Sequence, residues 1–299
     1  MPALDIIFCI FYNYFVECNI CPRNCKIDRH KLPGFCGEKE KIKISKVMLH
    51  QYEEPIISAG KGSGAIFFAG CNLKCVFCQN YPISNIGKGK TITIKKLVKI
   101  FKKLEHMGAA NINLVTPTHF TNQIIEAVKI YKPNIPVVWN SSGYESPQTI
   151  KKLKDYVDIY LVDLKYMDNA LALNYSRANN YVENATKSIL EMRKNQPTDI
   201  IKNGVMQKGV IVRHLVLPTH TDDSIKCLNF ICENLGKTTI VSIMSQYEPR
   251  YDAVNYPEIN RKITPVEYKR VVSHALKLGL NNAYTQDLSS ANSKYTPKF

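Results

Sequence analysis

Seven cysteines stand in two tight groups near the start of the chain, and their spacing sets out the chemistry. The later group reads Gly70-Cys71-Asn72-Leu73-Lys74-Cys75-Val76-Phe77-Cys78-Gln79-Asn80, a C-x3-C-x2-C pattern. Three thiolates on one loop can bind three irons of a cubane and leave the fourth iron open to an outside ligand. A 4Fe–4S cluster that only carries electrons takes four cysteines as a rule. A closed zinc site also wants four ligands, and no cysteine or histidine follows closely after Cys78. The earlier group, Cys18-x2-Cys21-x3-Cys25 with Cys36, offers four thiolates. Pro22 and Gly34 supply turns there, and Arg23 sits between the ligands. That set could bind a second iron–sulfur cluster or a zinc ion, or stay as reduced thiols. Cys9 falls outside both patterns, and Cys227 and Cys232 read as core residues of a helix.

The elements that must position these groups alternate along the chain. Short apolar runs at Ala65–Ala69, Asn111–Thr116, Pro136–Asn140, Asp158–Asp163, Val210–Leu217 and Thr239–Met244 read as strands. Amphipathic runs at Ile94–Met107, Asn122–Tyr131, Pro147–Asp155, Asn180–Lys194, Asp222–Leu235 and Pro265–Leu278 read as helices. This alternation predicts parallel strands with right-handed crossovers. The expected fold is α/β, a partial TIM-like barrel of about six β/α units. Residues 1–50 form a cysteine-rich extension, 51–288 the barrel and 289–299 a polar, frayed tail. Asn195–Lys208 reads as a surface loop from its Pro, Gly and Asn content. Functional side chains belong at the C-terminal ends of the strands.

Bulk properties narrow the class. At 299 residues and 45% hydrophobic, the chain can bury a sizeable core. No run approaches the roughly 18 apolar residues of a membrane span. The apolar start, Met1–Val16, carries Asp5 and lacks a basic n-region, so it reads as a packed terminal element and not a signal peptide. The net charge of +15 comes from lysines spread along the chain. Lys95, Lys96, Lys99, Lys102 and Lys103 form the solvated face of one helix, which argues against a nucleic-acid partner. Clustered cysteines in a long chain point to metal sites in a reducing compartment, the cytoplasm.

The loop Cys71–Cys78 resembles the radical S-adenosylmethionine (SAM) superfamily, and more closely the activating enzymes of pyruvate formate-lyase. The segments CNICPRNCKIDR, GFCG, GCNLKCVFCQNYPIS, NINLVTPTHF, WNSSGYES, DIYLVDLKY, VRHLVLP and MSQYEP carry the likeness, in order, from residue 18 to about 250. The resemblance implies a 4Fe–4S cluster on Cys71, Cys75 and Cys78, whose open iron takes the amino and carboxylate groups of SAM. It also implies a reductant such as flavodoxin or ferredoxin. As an activase, the enzyme would have a glycyl-radical protein as partner.

The superfamily places a Gly-Gly-Glu segment after the second strand to hold the SAM amino group. Here that place reads Val115-Thr116-Pro117-Thr118-His119, without the glutamate. Thr116, Thr118 and His119 could supply contacts instead, or Pro117 could simply close a rigid turn. Asn140-Ser141-Ser142-Gly143 and Asp163-Leu164-Lys165 match the polar-then-Gly and Asp-x-Lys segments of the activating enzymes. Asp163 and Lys165 would orient the SAM carboxylate, or would form an internal ion pair. One of Arg213 and His214 must point inward, and Arg213 suits a carboxylate or ribose contact. Ser245, Gln246 and Tyr247 could close over the adenosine. Two other readings stand beside the activase: a radical SAM enzyme acting on RNA or a small molecule, and a non-catalytic zinc module.

Overall fold

The computed structural model describes residues 17–291 together with Pro297 and Phe299. The apolar start, Met1–Val16 with Cys9, lies outside the described residues. In chain order the elements are β1 (Lys43–His50), α1 (Pro55–Ser58), β2 (Ser63–Phe68), α2 (Tyr81–Ser84), β3 (Lys90–Thr91), α3 (Ile94–His106) and β4 (Ile112–Val115). Then come α4 (Thr121–Ile130), β5 (Val137–Ser141), α5 (Pro147–Lys152), β6 (Ile159–Asp163), α6 (Asn169–Ser176), α7 (Tyr181–Asn195), β7 (Ile200–Lys202) and β8 (Val205–Leu215). The chain ends with α8 (Thr221–Leu235), β9 (Ile240–Met244), α9 (Pro265–Leu278) and β10 (Ala283–Thr285).

The sheet runs β10-β9-β8-β6-β5-β4-β2-β1-β3. Every neighbouring pair from β2 through β10 is parallel. The result is a partial barrel, open between its two edge strands, with all six expected strands and β10 besides. Parallel strands are covered on both faces, so they read as continuous apolar runs. β2, β4, β5 and β9 contain no exposed residue.

The period of two still sorts the faces. Phe68, Leu114, Trp139, Tyr160, Val162, Val212 and Ile243 point outward into the core beneath the helices. Val138, Ile159, Leu161, Ile211 and Ile240 point inward and pack on Ile56 and Ile57 of α1. His50 pairs with Ser63 at the start of β2, so the chain passes under the barrel before α1 closes its lower end. The outer helices follow their sequence signals. Thr93 caps α3 by accepting from the Lys96 amide, and Leu97, Val98, Phe101 and Leu104 form its buried stripe. Thr264 and Glu267 make a capping box at α9, with Pro265 in the first turn.

Three expectations need correction. The boundary at residue 50 puts β1 in the extension, yet Ile44–His50 pairs antiparallel with β2 as part of the sheet. Its mixed polar sequence hides a strand that lies between β2 and the two-residue edge strand β3. The segment Asn195–Lys208 is not a plain loop. Asn195 and Gln196 are buried, and β7 forms an antiparallel hairpin with the start of β8. Its turn is Asn203-Gly204, both at positive φ, the residue pair that type I′ hairpins favour. The described end of the tail is docked: the Phe299 ring meets Phe67 edge-on at 5.3 Å, and Lys88 Nζ donates to the Phe299 carbonyl. α6 was hidden too, because its apolar positions make no stripe of helical period.

Glu145 is fully buried between the sheet and its helices. Its Oε1 accepts from Thr118 Oγ1 at 2.7 Å and from Trp139 Nε1 at 3.2 Å, while Oε2 has no partner. Burial pushes its pKa from 4.5 to about 7, against the pull of these hydrogen bonds. A folded pKa above the unfolded one stabilises the fold below pH 4.5, and that contribution is lost as pH rises through about 7. The full effect is about 3 kcal/mol. Glu145→Gln keeps the acceptor and cannot ionise. Its unfolding free energy relative to wild type should therefore rise by up to about 3 kcal/mol between pH 4.5 and pH 7. A gap that does not move with pH would refute this assignment.

Candidate active site

The C-terminal ends of the parallel strands converge on a cavity of about 380 Å³. Cys71, Cys75 and Cys78 line it from the loop after β2. Thr116 lines it after β4, Asn140 and Ser141 at the end of β5, Asp163 and Lys165 at the end of β6, and Arg213 from β8. Thr116 holds φ +56, a left-handed conformation that costs a β-branched residue energy. Such strain is tolerated where a tight site demands it.

The cysteine loop is held from four sides. The Cys71 amide donates to the Cys36 carbonyl, the Gly70 amide to Ile83, the Lys74 amide to Ser176 and the Val76 amide to Tyr175. Gly70 sits at φ +80, and a Cβ there would press on the Cys36 carbonyl oxygen. The sulfurs also have hydroxyl neighbours. Ser176 Oγ donates to Cys75 Sγ at 3.0 Å, and Ser84 Oγ lies 3.1 Å from Cys78 Sγ. Burial, then the neighbouring Cys75, pushes the Cys71 thiol up to about 12 and the Cys78 thiol up to about 11. Both are neutral thiols at pH 7 when no metal draws off the proton.

Below the cysteines lies a layer of charge. Arg213 Nε donates to Asp163 Oδ1 at 2.8 Å and its NH2 group to Asn140 Oδ1 at 2.7 Å. Its NH1 group is 3.3 Å from Glu53 Oε2. Lys165 Nζ reaches Asp163 Oδ2 at 2.8 Å. Burial alone would push Asp163 up, but Arg213 and Lys165 hold its carboxyl below the ordinary value. Burial would likewise lower Arg213, and Asp163, Glu54 and Glu53 overcome it. Glu53 and Glu54 go the other way: burial raises both, and Arg213 offsets only part of that.

Of the residues expected to contact a ligand, Cys71, Cys75, Cys78, Thr116, Asn140, Ser141, Asp163, Lys165, Arg213 and Gln246 line the cavity. The ion pair foreseen between Asp163 and Lys165 is made, and it faces the cavity at the same time. Arg213 is the inward residue of its pair. His214 points outward, its Nδ1 2.7 Å from the Leu164 carbonyl oxygen.

Thr118 and His119 do not line the cavity. The 3-10 turn Thr118–Phe120 swings them behind β4, where Thr118 serves Glu145 and the His119 ring meets the Ala69 carbonyl at 2.7 Å. Burial pushes His119 down to about 3. Ser245 and Tyr247 are also buried elsewhere, bonded to the carbonyls of Asp287 and Ile259. Cys18, Cys21, Cys25 and Cys36 stand apart from the cavity.

Sequence reasoning missed Glu53, Glu54 and Ser242. Ser242 could have been found by its inward register beside Arg213. The Glu53-Glu54-Pro55 run carried a signal as well, two acids leading into the apolar Ile56-Ile57.

The fold and this cavity define an α/β-barrel protein with three sulfur donors at the strand ends. Residues 65–231 match the Radical SAM superfamily, and the chain belongs to that family. An uncharacterized protein of Methanocaldococcus jannaschii is 36% identical over 94% of this chain and 80% of its own length. The pyruvate formate-lyase-activating enzyme of Clostridium pasteurianum is 23% identical over 73% of this chain and 90% of its own. Among solved structures, Streptococcus suis SuiB superimposes with a TM-score of 0.51 at 16% identity. The match covers 77% of this chain and about half of SuiB (51%). Among the described residues no helix is long and apolar enough to cross a membrane.

Membership implies a 4Fe–4S cluster and SAM, and the residues present fit both. Three soft sulfur donors on one loop suit iron–sulfur ligation. The cavity beyond them is within the range of small-ligand sites.

Gly143 supports the charged layer from behind. It sits at φ +76, and a Cβ there would fall 2.5 Å from the Asp163 carbonyl oxygen. Gly204 has nearly the same φ, +75, with nothing within 4 Å of its Cβ position. Gly143→Ala and Gly204→Ala should share a backbone cost of about 1 kcal/mol. Gly143→Ala should lose measurably more in denaturant unfolding, because the end of β6 must shift. Equal losses would show that the turn does not bear on Asp163.

Proposed function

We propose that Cys71, Cys75 and Cys78 ligate the 4Fe–4S cluster and that the cavity beneath them holds SAM. The observation that carries this reading is the placement of three cysteines over a polar layer at the C-terminal strand ends. When bound, the cluster supplies the electron that cleaves SAM to methionine and a 5′-deoxyadenosyl radical. The chain's own part is binding, orientation and exclusion of water. Lys165 and Arg213 offer cations to the SAM carboxylate. Asp163 holds both cations in place, and Thr116 and Ser141 add polar contacts to the wall.

The reaction we propose is hydrogen abstraction from a glycine of a partner protein, making the chain an activase of a glycyl-radical enzyme. The likeness to the activating enzyme of Clostridium pasteurianum supports it. A one-electron reductant of the flavodoxin or ferredoxin type would serve it. Anaerobic incubation with SAM, reductant and a glycyl-radical protein should give a glycyl signal in electron paramagnetic resonance. SAM cleavage without that signal for any such protein would favour a small-molecule or RNA substrate.

Two variants test the site itself. Cys75→Ala should abolish the SAM-responsive cluster signal and 5′-deoxyadenosine formation, and normal turnover would overturn the proposal. Lys165→Ala should keep the cluster and weaken SAM binding. One charge-assisted hydrogen bond is worth roughly 1.5–3 kcal/mol, or about one to two decades. Unchanged SAM affinity would leave Lys165 as a purely internal partner of Asp163.

A further inference from the structure

The first cysteine group lies outside the cavity, packed against the back of the cysteine loop. Its backbone is tightly wound, although it contains no helix and only one isolated bridge, Glu17 to Asp28. The Cys18 amide donates to Ile27, the Lys26 amide returns to Cys18, and the Asn24 amide donates to Cys21. Asn24 and Lys26 both hold positive φ to make these turns. Little apolar side-chain burial accounts for this order. Among residues 17–35 nothing hydrophobic is fully buried.

The sulfurs face one another across this knot. Cys25 and Cys36 open onto the same space, where a Cβ on Gly34 would lie 3.6 Å and 3.5 Å from their sulfurs. Cys21 is close enough to feel Cys25 and Cys36, and Cys36 to feel Cys18 and Cys25. The Phe35 amide points at Cys25 Sγ from 3.4 Å, a type of contact that stabilises thiolate ligands. All four cysteines are free of disulfides.

Arg23 adds an independent sign of an anionic occupant. Its guanidinium is 3.6 Å from the Phe35 ring centroid, and its Nε donates to the Asn72 carbonyl at 2.8 Å. Its NH2 atom is buried with no partner. Cys21, Cys25 and Cys71 all lie near enough to act on its charge. Arg23 is half-buried, and leaving a buried N–H unpaired is costly; an anionic centre among the thiolates would satisfy it.

We propose that Cys18, Cys21, Cys25 and Cys36 hold a second iron–sulfur cluster, separate from the barrel site and with every iron coordinated by protein. A zinc ion would draw four sulfurs to about 2.3 Å from one point. The four sulfurs are not gathered about one such point, and neither are those of the barrel loop. The barrel loop is where the family places a cluster, and the two cysteine groups are read alike.

The test is anaerobic reconstitution of the full chain with iron and sulfide, followed by metal and acid-labile sulfide analysis. Cys21→Ser/Cys25→Ser should lose about half of the iron bound by wild type. It should keep the spectral response to SAM, which belongs to the barrel site. The reciprocal variant, Cys71→Ala/Cys75→Ala/Cys78→Ala, should retain iron and matching sulfide but show no response to SAM. It decides the matter if the first variant does not fold. Zinc in place of iron in that reciprocal variant would overturn the proposal, as would the absence of any metal. These outcomes are distinct from failure of the barrel assignment, which would appear as a SAM response surviving in the reciprocal variant.

Discussion

A guanidinium inside a barrel must be paired, and the pairing of Arg213 is the constraint on which the cavity depends. Removing one partner of a buried ion pair typically costs 3–5 kcal/mol, so the groups around it are not free to drift. Asp163, Asn140 and Glu53 meet that demand from three separate places in the chain. Asp163 and Asn140 fix the ends of β6 and β5 against β8. Glu53 fixes the strap that runs under the barrel into α1, and it also accepts from Asn113 of β4. One side chain thereby sets the relative height of four strands and the lower cap. Lys165 is placed by the same network, through the second oxygen of Asp163.

The network is not balanced in charge. Asp163, Glu53 and Glu54 bring three carboxyl groups to one guanidinium and one ammonium. The surplus shows where it should, in the carboxyls of Glu53 and Glu54, which burial raises above the ordinary range. Glu54 Oε2 has no hydrogen-bond partner at all. A layer of this kind favours a ligand that carries positive charge, and the sulfonium of SAM is such a cation. Its amino acid end presents a carboxylate as well, which Lys165 and Arg213 can meet. On the proposed reading, the same few groups serve both signs of a zwitterionic ligand.

Much of this was legible in the sequence, for identifiable reasons. Parallel strands buried on both faces leave long apolar runs, and the outer helices leave stripes and caps such as Thr93 and the Thr264–Glu267 box. The C-x3-C-x2-C spacing and the Asp163–Lys165 pair lie on single short segments, so their types and intervals survive in one dimension. What was hidden is what arises between segments. Glu53 and Glu54 are ordinary acids until the strap carries them under Arg213. Thr118 and His119 looked like ligand contacts because they follow a strand end. A single 3-10 turn sends them behind the sheet, and Thr116 alone stays at the cavity. The strand β1 and the Asn203-Gly204 hairpin were hidden for a simpler reason: their polar composition leaves no strand pattern to read.

The cysteine loop shows the same division at closer range. Its sulfurs are spaced by sequence, but the direction in which they point is set by the groups that accept its amide hydrogens. Those groups belong to Cys36 before the barrel, to α2 just after the loop, and to Tyr175 and Ser176 at the far end of α6. The Asp252 amide donates to Val76 and closes the ring of contacts. A loop with few hydrogen bonds of its own gains rigidity from this enclosure, which a site that must present three donors to one body requires. The N-terminal extension is therefore part of the cavity's construction even though it does not line it. It bonds to the loop through the Cys36 carbonyl and Arg23, and to the outer layer where Thr149 donates to Ile20 and Arg29 donates to the His119 carbonyl. The extension holds one end of the loop, while Ile83, Tyr175 and Ser176 hold the rest from within the barrel.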